Sequence, residues 1–330
     1  MSANNTASDL DREFFARELD AFLPDRIFDA HTHLWKEEWV SWSVGESPDV
    51  GRPEYDTLIS AIHGNRPTEA LFIPFATEDN RPKIPAANQW VSDSLSAHPD
   101  SRGLFFITPE DDPEHVREQV RKLGLHGLKC YHSMSSLNPT WEASIPDFLP
   151  ESFLEIANQE SWVITLHMVK TRAVADPDNL HWIRHYCKTY PNMKLILAHS
   201  ARGFQPGHNL EGLANLKGLD NLYFDTSANC ESIAHQAIMR IIGPEKLMYG
   251  SDLPVSHMRG RSLGVADTFL WLYEQTPVWN EKHRSIQPLL IGLEHLQSVK
   301  WACWSERLTD TQVEDIFWNN AARLFKVGDN

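Results

Sequence analysis

The stretch FDAHTHLW, residues 28–35, has the apolar character of a buried β-strand but carries two histidines, one residue apart, directly after an aspartate. Side chains of a β-strand alternate between its two faces, which predicts that Asp29, His31 and His33 share one face. At roughly 3.3 Å of rise per residue, the two histidines stand about 7 Å apart at their roots, close enough to converge on one metal ion. Two core histidines hydrogen-bonded to their neighbours are the alternative interpretation, and this stretch alone leaves both open.

Seven further apolar runs follow this one, and together the runs determine the predicted fold. Their near-continuous apolar character is typical of strands buried on both faces, as in a parallel sheet covered by helices. Helical patterns separate the runs, most clearly at 113–123 after the N-cap Asp112 and at 231–242 before Gly243. The repeated unit favours a (β/α)₈ TIM barrel over an open doubly wound sheet, because no glycine-rich phosphate loop follows the first run. The runs are IFDAHTH (27–33), ALFIPFA (70–76), GLFFIT (103–108), GLKCYH (127–132), WVITLHM (162–168), KLILAHS (194–200), NLYFDTS (221–227) and KLMYGSD (246–252).

Two parts of the chain lie outside this repeating pattern. Residues 1–25 form a predicted N-terminal helical extension, whose amphipathic helix spans 9–23. Residues 255–315 form a long segment between the eighth run and the C-terminal helix. No Ser/Gly-rich linker or low-complexity tract divides the chain, so residues 1–330 are predicted to form one domain.

The composition excludes several functional classes. The 330 residues are 42% hydrophobic, and 30 basic against 45 acidic residues give a formal net charge of −15. Such a surface repels phosphates and anionic lipids, so neither nucleic acid nor a membrane is an expected partner. No secretory signal and no run of about 18 apolar residues is present, and the four cysteines are far apart, which is typical of a reduced cytoplasmic protein. A homo-oligomer is compatible with all of this.

Residues that bind metals or carry protons collect at the ends of the predicted strands. In a barrel of this type the active site lies at the carboxyl ends of the strands, so these side chains are expected to converge. Alternation also predicts that His199 shares a face with Leu195 and Leu197. One histidine at a strand end is more often a core residue, but four histidines and an aspartate at four strand ends favour a metal site. The residues are His31 and His33 in the first run, Lys129 in the fourth, His167 in the fifth, His199 in the sixth and Asp252 in the eighth.

The motifs at these strand ends, taken in order, have a known counterpart. DAHTH, TLHM, LAHSARGF and YGSDLP, with NAARLF at 320–325, resemble the amidohydrolase superfamily, in the branch similar to aminocarboxymuconate-semialdehyde decarboxylase. The resemblance implies a (β/α)₈ barrel with one divalent metal, usually zinc. It implies further that the ligands are His31, His33, His167 and Asp252, and that His199 is a catalytic proton carrier.

Lys129 is the residue whose role the motifs leave open. In binuclear members of the superfamily a lysine of the fourth strand is carbamylated and bridges two metals, with the histidine of the sixth strand as a further ligand. The mononuclear branch implies instead an unmodified catalytic amine that binds a substrate carboxylate. A lysine whose charged end reaches out of the barrel wall is the third interpretation. We expect one metal and an unmodified Lys129, because the other motifs match the mononuclear branch.

Such a site is suited to hydrolysis. Zinc held by imidazoles and a carboxylate lowers the pKa of water to about 7, Asp252 can take the proton of the attacking water, and His199 can donate a proton to the leaving group. We therefore predict a metal-dependent hydrolase of a small, carboxylate-bearing cyclic ester, lactone or amide. The alternatives are a lyase on the same metal site, either a non-oxidative decarboxylase or a hydratase, and a non-enzymatic barrel with a structural metal.

Basic and aromatic residues near the strand ends give a hint of the substrate. Arg202 lies three residues after His199 and is the best candidate for binding a carboxylate, which predicts a small anionic substrate. The other cations are equally well explained as solvated or structural charges. Trp35, Trp39 and Trp42 are spaced as a ring-binding wall or, alternatively, as the packing face of a helix. The other cations are Lys170, Arg172, Arg259 and Arg261.

Overall fold

A computed structural model describes residues 7–40, 49–280 and 286–328 of the chain. Each of the eight predicted runs contributes strand to a parallel sheet, and the third run is divided into two short strands. The strands are β1 (Ile27–Leu34), β2 (Thr68–Pro74), β3 (Arg102–Gly103), β4 (Phe105–Phe106), β5 (Gly127–Tyr131), β6 (Val163–His167), β7 (Lys194–Leu197), β8 (Leu222–Asp225) and β9 (Leu247–Met248).

The strands pair in sequence order around the barrel. β1, β2 and β3 form one ladder, and β4 to β9 form a second ladder of six parallel strands. The third run joins the two ladders, because Leu104 donates to the Phe72 carbonyl and Ile107 donates to the Lys129 carbonyl, both at 3.0 Å. On the other side, Ala30 of β1 donates to the Tyr249 carbonyl at 2.8 Å. The predicted (β/α)₈ barrel is confirmed.

Helices cover the outside of the sheet, and some of them begin at a side-chain cap that the sequence provides. Asp112 accepts a hydrogen bond from the backbone of His115, and Pro113 occupies the first helical position, so the predicted helix at 113–123 is confirmed as Pro113–Lys122. The predicted helix at 231–242 is confirmed as Ser232–Ile241. The helices are α1 (Asp9–Phe14), α2 (Arg52–His63), α3 (Ile84–Leu95), α4 (Pro113–Lys122), α5 (Glu151–Glu160), α6 (Pro177–Thr189), α7 (Ala198–Arg202), α8 (Pro206–Gly212), α9 (Ser232–Ile241), α10 (Ile291–Ser305), α11 (Asp310–Glu314) and α12 (Asn320–Phe325). Of these, α7 is a short segment in which residues 199–202 have a left-handed backbone.

The N-terminal ends of the strands are closed by the C-terminal helix. Phe28 at the start of β1 stacks on Phe325 of α12, with ring centroids 5.5 Å apart, and meets Trp318 edge to face at 6.2 Å. The Arg102 side chain donates from β3 to the Phe325 carbonyl at 3.1 Å. Aromatic rings therefore fill this end of the barrel, and the hydrogen bond from Arg102 satisfies the backbone carbonyl of Phe325.

The two segments outside the barrel pattern are folded against it. The N-terminal extension is helical as predicted, with α1 continuing into a wider π-helical turn at Phe15–Leu19. The long segment after β9 contains an antiparallel hairpin, β10 (Gly260–Val265) and β11 (Thr268–Tyr273), before α10 begins. None of the helices in the described parts of the chain is long and apolar enough to cross a membrane. All four cysteines are buried and free, as the spacing predicts, while the single-domain division and the cytoplasmic location stay predictions.

Candidate metal centre

The first strand brings His31 and His33 to the mouth of the barrel, but its side chains do not alternate regularly between the two faces of the sheet. The register between β1 and β2 shifts between Asp29 and Thr32, an irregularity of the bulge type. Asp29 lies on the outer face, where its Oδ2 accepts a hydrogen bond from the Tyr55 hydroxyl at 2.9 Å. The prediction that Asp29 shares a face with the two histidines is wrong, because the irregularity reverses the alternation.

The sixth barrel strand presents His199 on a left-handed turn. The φ angles at residues 199–202 are 56°, 52°, 58° and 54°, a conformation that costs L-amino acids about 1–2 kcal/mol per residue. Side chains hold the turn in place: the His199 N–H donates to Asp225 Oδ1 at 2.9 Å, and Asn209 donates to the Ser200 carbonyl at 2.8 Å. The surrounding structure thus imposes a backbone that the local sequence disfavours.

This turn also corrects the predicted face of His199. Ile196 of β7 pairs with a residue of β6 that itself pairs with Lys129 of β5, so Ile196 and Lys129 are in register. Leu195 and Leu197 pack instead in the hydrophobic cluster that also contains residues of the surrounding helices. His199 therefore does not share the face of Leu195 and Leu197. Its ring reaches the site because the chain reverses its handedness after β7.

Four histidines and one aspartate converge at the mouth. His33 Nε2 lies 3.2 Å from Asp252 Oδ1, His31 Nε2 lies 3.7 Å from the same atom, and His199 Nδ1 lies 3.8 Å from Asp252 Oδ2. The rings of His167 and His199 meet edge to face, with centroids 4.9 Å apart. The donor atoms of His31, His199 and Asp252 all lie within 4.8 Å of one another. The closest donor set therefore includes His199, which the resemblance implies is a proton carrier.

The protonation states at this cluster suit a divalent cation. Burial lowers the pKa of all four imidazoles, that of His167 the most clearly, so they are neutral at pH 7. Burial raises the pKa of Asp252, but His199 and the hydrogen bond from His33 outweigh it and hold that pKa below its usual range. Among the described residues, Nδ1 of His33 and Nδ1 of His167 have no hydrogen-bond partner. Neutral imidazoles beside an ionised carboxylate, some with a ring nitrogen that has no hydrogen-bond partner, are suited to bind a zinc-like ion.

Lys129 projects from β5 into the same region and is fully buried. Its Nζ has no hydrogen-bond partner in the described parts of the chain and lies 4.6 Å from the centre of the Tyr131 ring. Burial lowers the pKa of Lys129 to about 8, against the opposing effect of Asp225 and Asp252. The interpretation of a lysine reaching out to solvent is wrong, and the amine is available to a substrate or for modification.

Asp225 is the site residue that the sequence analysis missed. It ends β8 and is 0% exposed. Its Oδ2 lies 2.8 Å from His31 Nδ1, and its Oδ1 accepts from the backbone N–H of His199 at 2.9 Å and of Ser227 at 3.1 Å. A signal was present, since the seventh run NLYFDTS carries a carboxylate two residues before its end, and the eighth ends on Asp252.

The predicted substrate-binding cations separate into two groups. Arg202 donates to the Lys170 carbonyl at 2.8 Å and lies over the Phe269 ring, 5.3 Å from its centre. No carboxylate of the described residues forms an ion pair with Arg202, and its charge contributes to the lowered pKa of His167. The other four cations are neutralised by acidic residues of the same chain. The pairs are Lys170 with Asp178 at 3.0 Å, Arg172 with Glu211, Arg259 with Asp11 at 2.6 Å and Arg261 with Glu294 at 3.5 Å.

The tryptophans of the loop after β1 do not act together as a wall. Trp35 and Trp39 are buried, and Trp39 meets Trp90 edge to face with ring centroids 6.4 Å apart. These two have the packing role that was the alternative interpretation, and Trp42 lies outside the described residues. Aromatic rings do border the histidines, because Phe75 lies 5.0 Å from His33 between centroids.

The hairpin after β9 adds a second aromatic border. Phe204, which follows the left-handed turn, lies 5.6 Å from His199 between ring centroids and stacks on Phe269 of β11 at 4.6 Å. Trp271 of the same strand meets Phe204 at 5.4 Å. One face of the hairpin thus packs beside the cluster of histidines and Asp252, while Leu263 and Val265 on the opposite face are exposed.

Comparisons with known proteins agree with this architecture. The model of the amidohydrolase family matches residues 28–327. An amidohydrolase from Burkholderia multivorans with bound zinc is 14% identical, with 92% of this chain and 99% of that chain covered and a TM-score of 0.60. The chain has no match among the curated proteins.

Solved structures with different reactions share the fold. A probable 2-pyrone-4,6-dicarboxylic acid hydrolase from Acinetobacter baumannii, with citric acid bound, is 14% identical over 91% of this chain and 99% of that chain, with a TM-score of 0.56. A dihydroxybenzoic acid decarboxylase from Polaromonas, with manganese and an inhibitor bound, is 14% identical over 92% and 97% of the two chains, with a TM-score of 0.53. At this identity the similarity shows a common fold and not a common substrate.

The family match extends from the first barrel strand to the residues just after α12 and includes every strand end described above. The resemblance that the motifs suggested is confirmed. This chain is an enzyme of the amidohydrolase family.

Proposed function

We propose that this enzyme is a metal-dependent hydrolase of a small, carboxylate-bearing cyclic ester, lactone or amide. The observation that carries the proposal is the buried donor cluster built on His31, His199 and Asp252, together with the guanidinium of Arg202. The charge of Arg202 contributes to the lowered pKa of His167, and Arg202 has no acidic partner among the described residues. Structures with the same fold include one with zinc and one with manganese. We propose zinc, because imidazole and carboxylate donors suit it best.

The proposed ligands are His31, His33, His167 and Asp252. A divalent ion held there supplies Lewis acidity, which makes water nucleophilic at neutral pH and polarises a carbonyl group. His199 either completes the ligand set, since its donor atom lies within 4.8 Å of those of His31 and Asp252, or carries the proton. Metal content separates these roles: His199→Ala retains the ion if His199 is a proton carrier and loses it if His199 is a ligand.

The protein groups around the ion can move the protons that hydrolysis requires. Asp252 is ionised and can accept the proton of the attacking water. His199 Nδ1 lies 3.0 Å from the Ser227 carbonyl, which only accepts, so Nδ1 carries the proton and Nε2 has the free lone pair. A neutral imidazole in this state can receive a proton at Nε2 and pass it to a leaving group.

Arg202 is the group we propose for binding the substrate carboxylate. The Lys170 carbonyl and the Phe269 ring orient its guanidinium before a ligand arrives, which reduces the entropy lost on binding. Lys170, Arg172 and Arg259 were candidates for the same role. Their carboxylate partners within the chain make them weaker candidates, since an anion would have to compete with Asp178, Glu211 and Asp11.

A non-oxidative decarboxylase or hydratase is the second candidate function, and Lys129 is the observation that favours it. A buried amine with a pKa of about 8, without a hydrogen-bond partner in the described chain, can hold a departing carboxylate or protonate a carbanion. Three solved structures with this fold are decarboxylases. We place this candidate second because hydrolysis uses the metal, Asp252 and His199 together.

The test is a metal analysis of the purified protein together with two substrates. 2-Pyrone-4,6-dicarboxylate reports lactone opening, and a dihydroxybenzoate reports carbon dioxide release. We expect one zinc-like ion per chain, lactone opening and an unmodified mass for Lys129. Activity that survives complete removal of the ion by a chelator would contradict the metal mechanism, carbon dioxide release would select the lyase, and two ions with a carboxyl group on Lys129 would identify a binuclear site.

A further inference from the structure

Asp225 lies directly behind the proposed metal ligands, and both of its oxygens are engaged. Oδ2 faces the His31 ring, with His31 Nδ1 at 2.8 Å. Oδ1 accepts from the backbone N–H groups of His199 and Ser227 and from the Ser227 hydroxyl. The carboxylate is 0% exposed, so water does not satisfy it. One buried side chain therefore connects the first barrel strand to the left-handed turn after the sixth.

We infer that Asp225 is a positioning residue that fixes the tautomer of His31 and anchors the turn that presents His199. The inference rests on the metal site proposed above and extends it to a residue that does not itself bind the ion. A neutral imidazole has one N–H and one lone pair, and a carboxylate can only accept. His31 must therefore carry its proton on Nδ1, and the lone pair of Nε2 faces Asp252, whose Oδ1 is 3.7 Å away.

The three donors on Oδ1 make Asp225→Asn an informative substitution. The two backbone N–H donors hold the amide oxygen at the Oδ1 position, because an amide nitrogen there would meet two fixed hydrogens, and the Ser227 hydroxyl adds a third donor. The amide NH₂ must then occupy the Oδ2 position and donate to His31 Nδ1. His31 responds by moving its proton to Nε2, which removes the lone pair that a metal needs. Replacing one carboxylate oxygen by an amide NH₂ group thus moves the proton of His31 from Nδ1 to Nε2.

Asp29 provides a matched control. It is equally buried, lies two residues before His31 and accepts from the backbone N–H groups of His31 at 3.2 Å and Ser251 at 2.7 Å. Its second oxygen faces the Tyr55 hydroxyl at 2.9 Å and no imidazole nitrogen. In Asp29→Asn the new NH₂ meets a hydroxyl that can rotate and accept. Both variants replace a buried aspartate by its amide, although burial raises the pKa of Asp29 to about 7 and that of Asp225 lies below its usual range. Only Asp225→Asn reverses the tautomer of a histidine.

The experiment compares the wild type, Asp225→Asn and Asp29→Asn in two measurements. Zinc affinity is measured by competition with a chromophoric chelator, and circular dichroism verifies the fold. We expect Asp225→Asn to bind zinc about 10- to 100-fold more weakly, whereas Asp29→Asn stays close to the wild type. The ¹⁵N imidazole shifts of His31 in the metal-free proteins give the tautomer directly, with Nδ1–H in the wild type and Nε2–H in Asp225→Asn.

The outcomes distinguish this inference from the function on which it rests. Wild-type protein with Nε2–H on His31, or Asp225→Asn with unchanged zinc affinity and tautomer, would overturn the role of Asp225. A reversed tautomer in a protein whose wild type binds no zinc would support the positioning role and remove the metal function. If Asp225→Asn does not fold, the tautomer of the wild type decides alone.

Discussion

The two ends of the barrel are built according to opposite rules. At the N-terminal end of the strands, Phe28 stacks on Phe325, and Asn320 donates to the carbonyls of Pro244 and Leu247 at 2.9 and 2.7 Å. At the mouth, residues 199–202 adopt a left-handed backbone, and Lys129 Nζ lacks a partner among the described residues. At the N-terminal end of the strands the polar groups are hydrogen-bonded, and this end stabilises the fold. The mouth has a strained backbone and a buried amine without a partner, and the mouth is the end of a barrel at which active sites lie.

The largest expected effect is at the mouth. We expect the double substitution His31→Ala and His33→Ala to reduce metal content from about one ion per chain to none, because two of the four proposed ligands lie on β1. Elemental analysis of the purified variant gives the result, and circular dichroism shows whether the barrel persists. Full metal content in this variant would remove the metal site and, with it, the contrast between the two ends.

A substitution at the N-terminal end of the strands should lower the stability of the fold and leave metal binding unchanged. Phe325→Ala removes a ring that is only 6% exposed and stacked on Phe28, and we expect a loss of about 3–5 kcal/mol in the free energy of unfolding. Denaturant unfolding of the metal-free protein gives this value. Zinc affinity should be unchanged in the folded protein, and a large loss of affinity would show that the two ends are coupled.

A smaller effect is expected for Arg202, which belongs to the mouth but not to the metal cluster. Arg202→Ala should lower kcat/KM for an acidic substrate at least tenfold, since a hydrogen bond to a charged group contributes about 1.5–3 kcal/mol. Metal content should be unchanged, because a guanidinium is not a metal ligand. The control is an uncharged analogue of the same substrate, and equal losses on both would mean that Arg202 only supports the turn.

The smallest effect, counted for one residue and one pH unit, concerns buried histidines that are not proposed ligands. Burial lowers the pKa of His63 to about 3 and that of His235 and His257 to about 4. The unfolded chain binds protons below about pH 6.5 while these folded sites do not, so stability is full above that pH and falls as pH decreases towards 4. We expect each to contribute a slope of about 1.4 kcal/mol per pH unit in this window. Unfolding of the metal-free protein at pH 7, 6 and 5 measures it, and equal stability at all three would contradict the burial of neutral histidines.

The strand pattern and the polar strand ends could be predicted because each depends on local sequence. Apolar runs determine β1 to β9, and the chemistry at their ends stands out within each run. The exact faces could not be predicted, because the shift near Asp29 and the left-handed turn at His199 are imposed by distant partners. The turn depends on Asp225, which is 26 residues away.

Ion pairs between residues that are far apart in the chain could not be predicted from the sequence either. Whether a cation is free to bind a substrate depends on what lies opposite to it in space. Arg259 is paired with Asp11, which is 248 residues away and part of the N-terminal extension. No local pattern reveals such a pair, so the sequence alone does not show that the charge of Arg259 is already compensated within the chain.

The hairpin of β10 and β11 has a consequence for how this enzyme can change. Its strands hydrogen-bond to each other and not to the barrel ladder, yet Phe269 and Trp271 extend the aromatic border beside His199. Side chains or residues can therefore be exchanged in this ribbon without altering a barrel strand or a proposed ligand. We expect substitutions at Phe269 and Trp271 to change which substrate is preferred while the barrel strands and the proposed metal ligands stay in place.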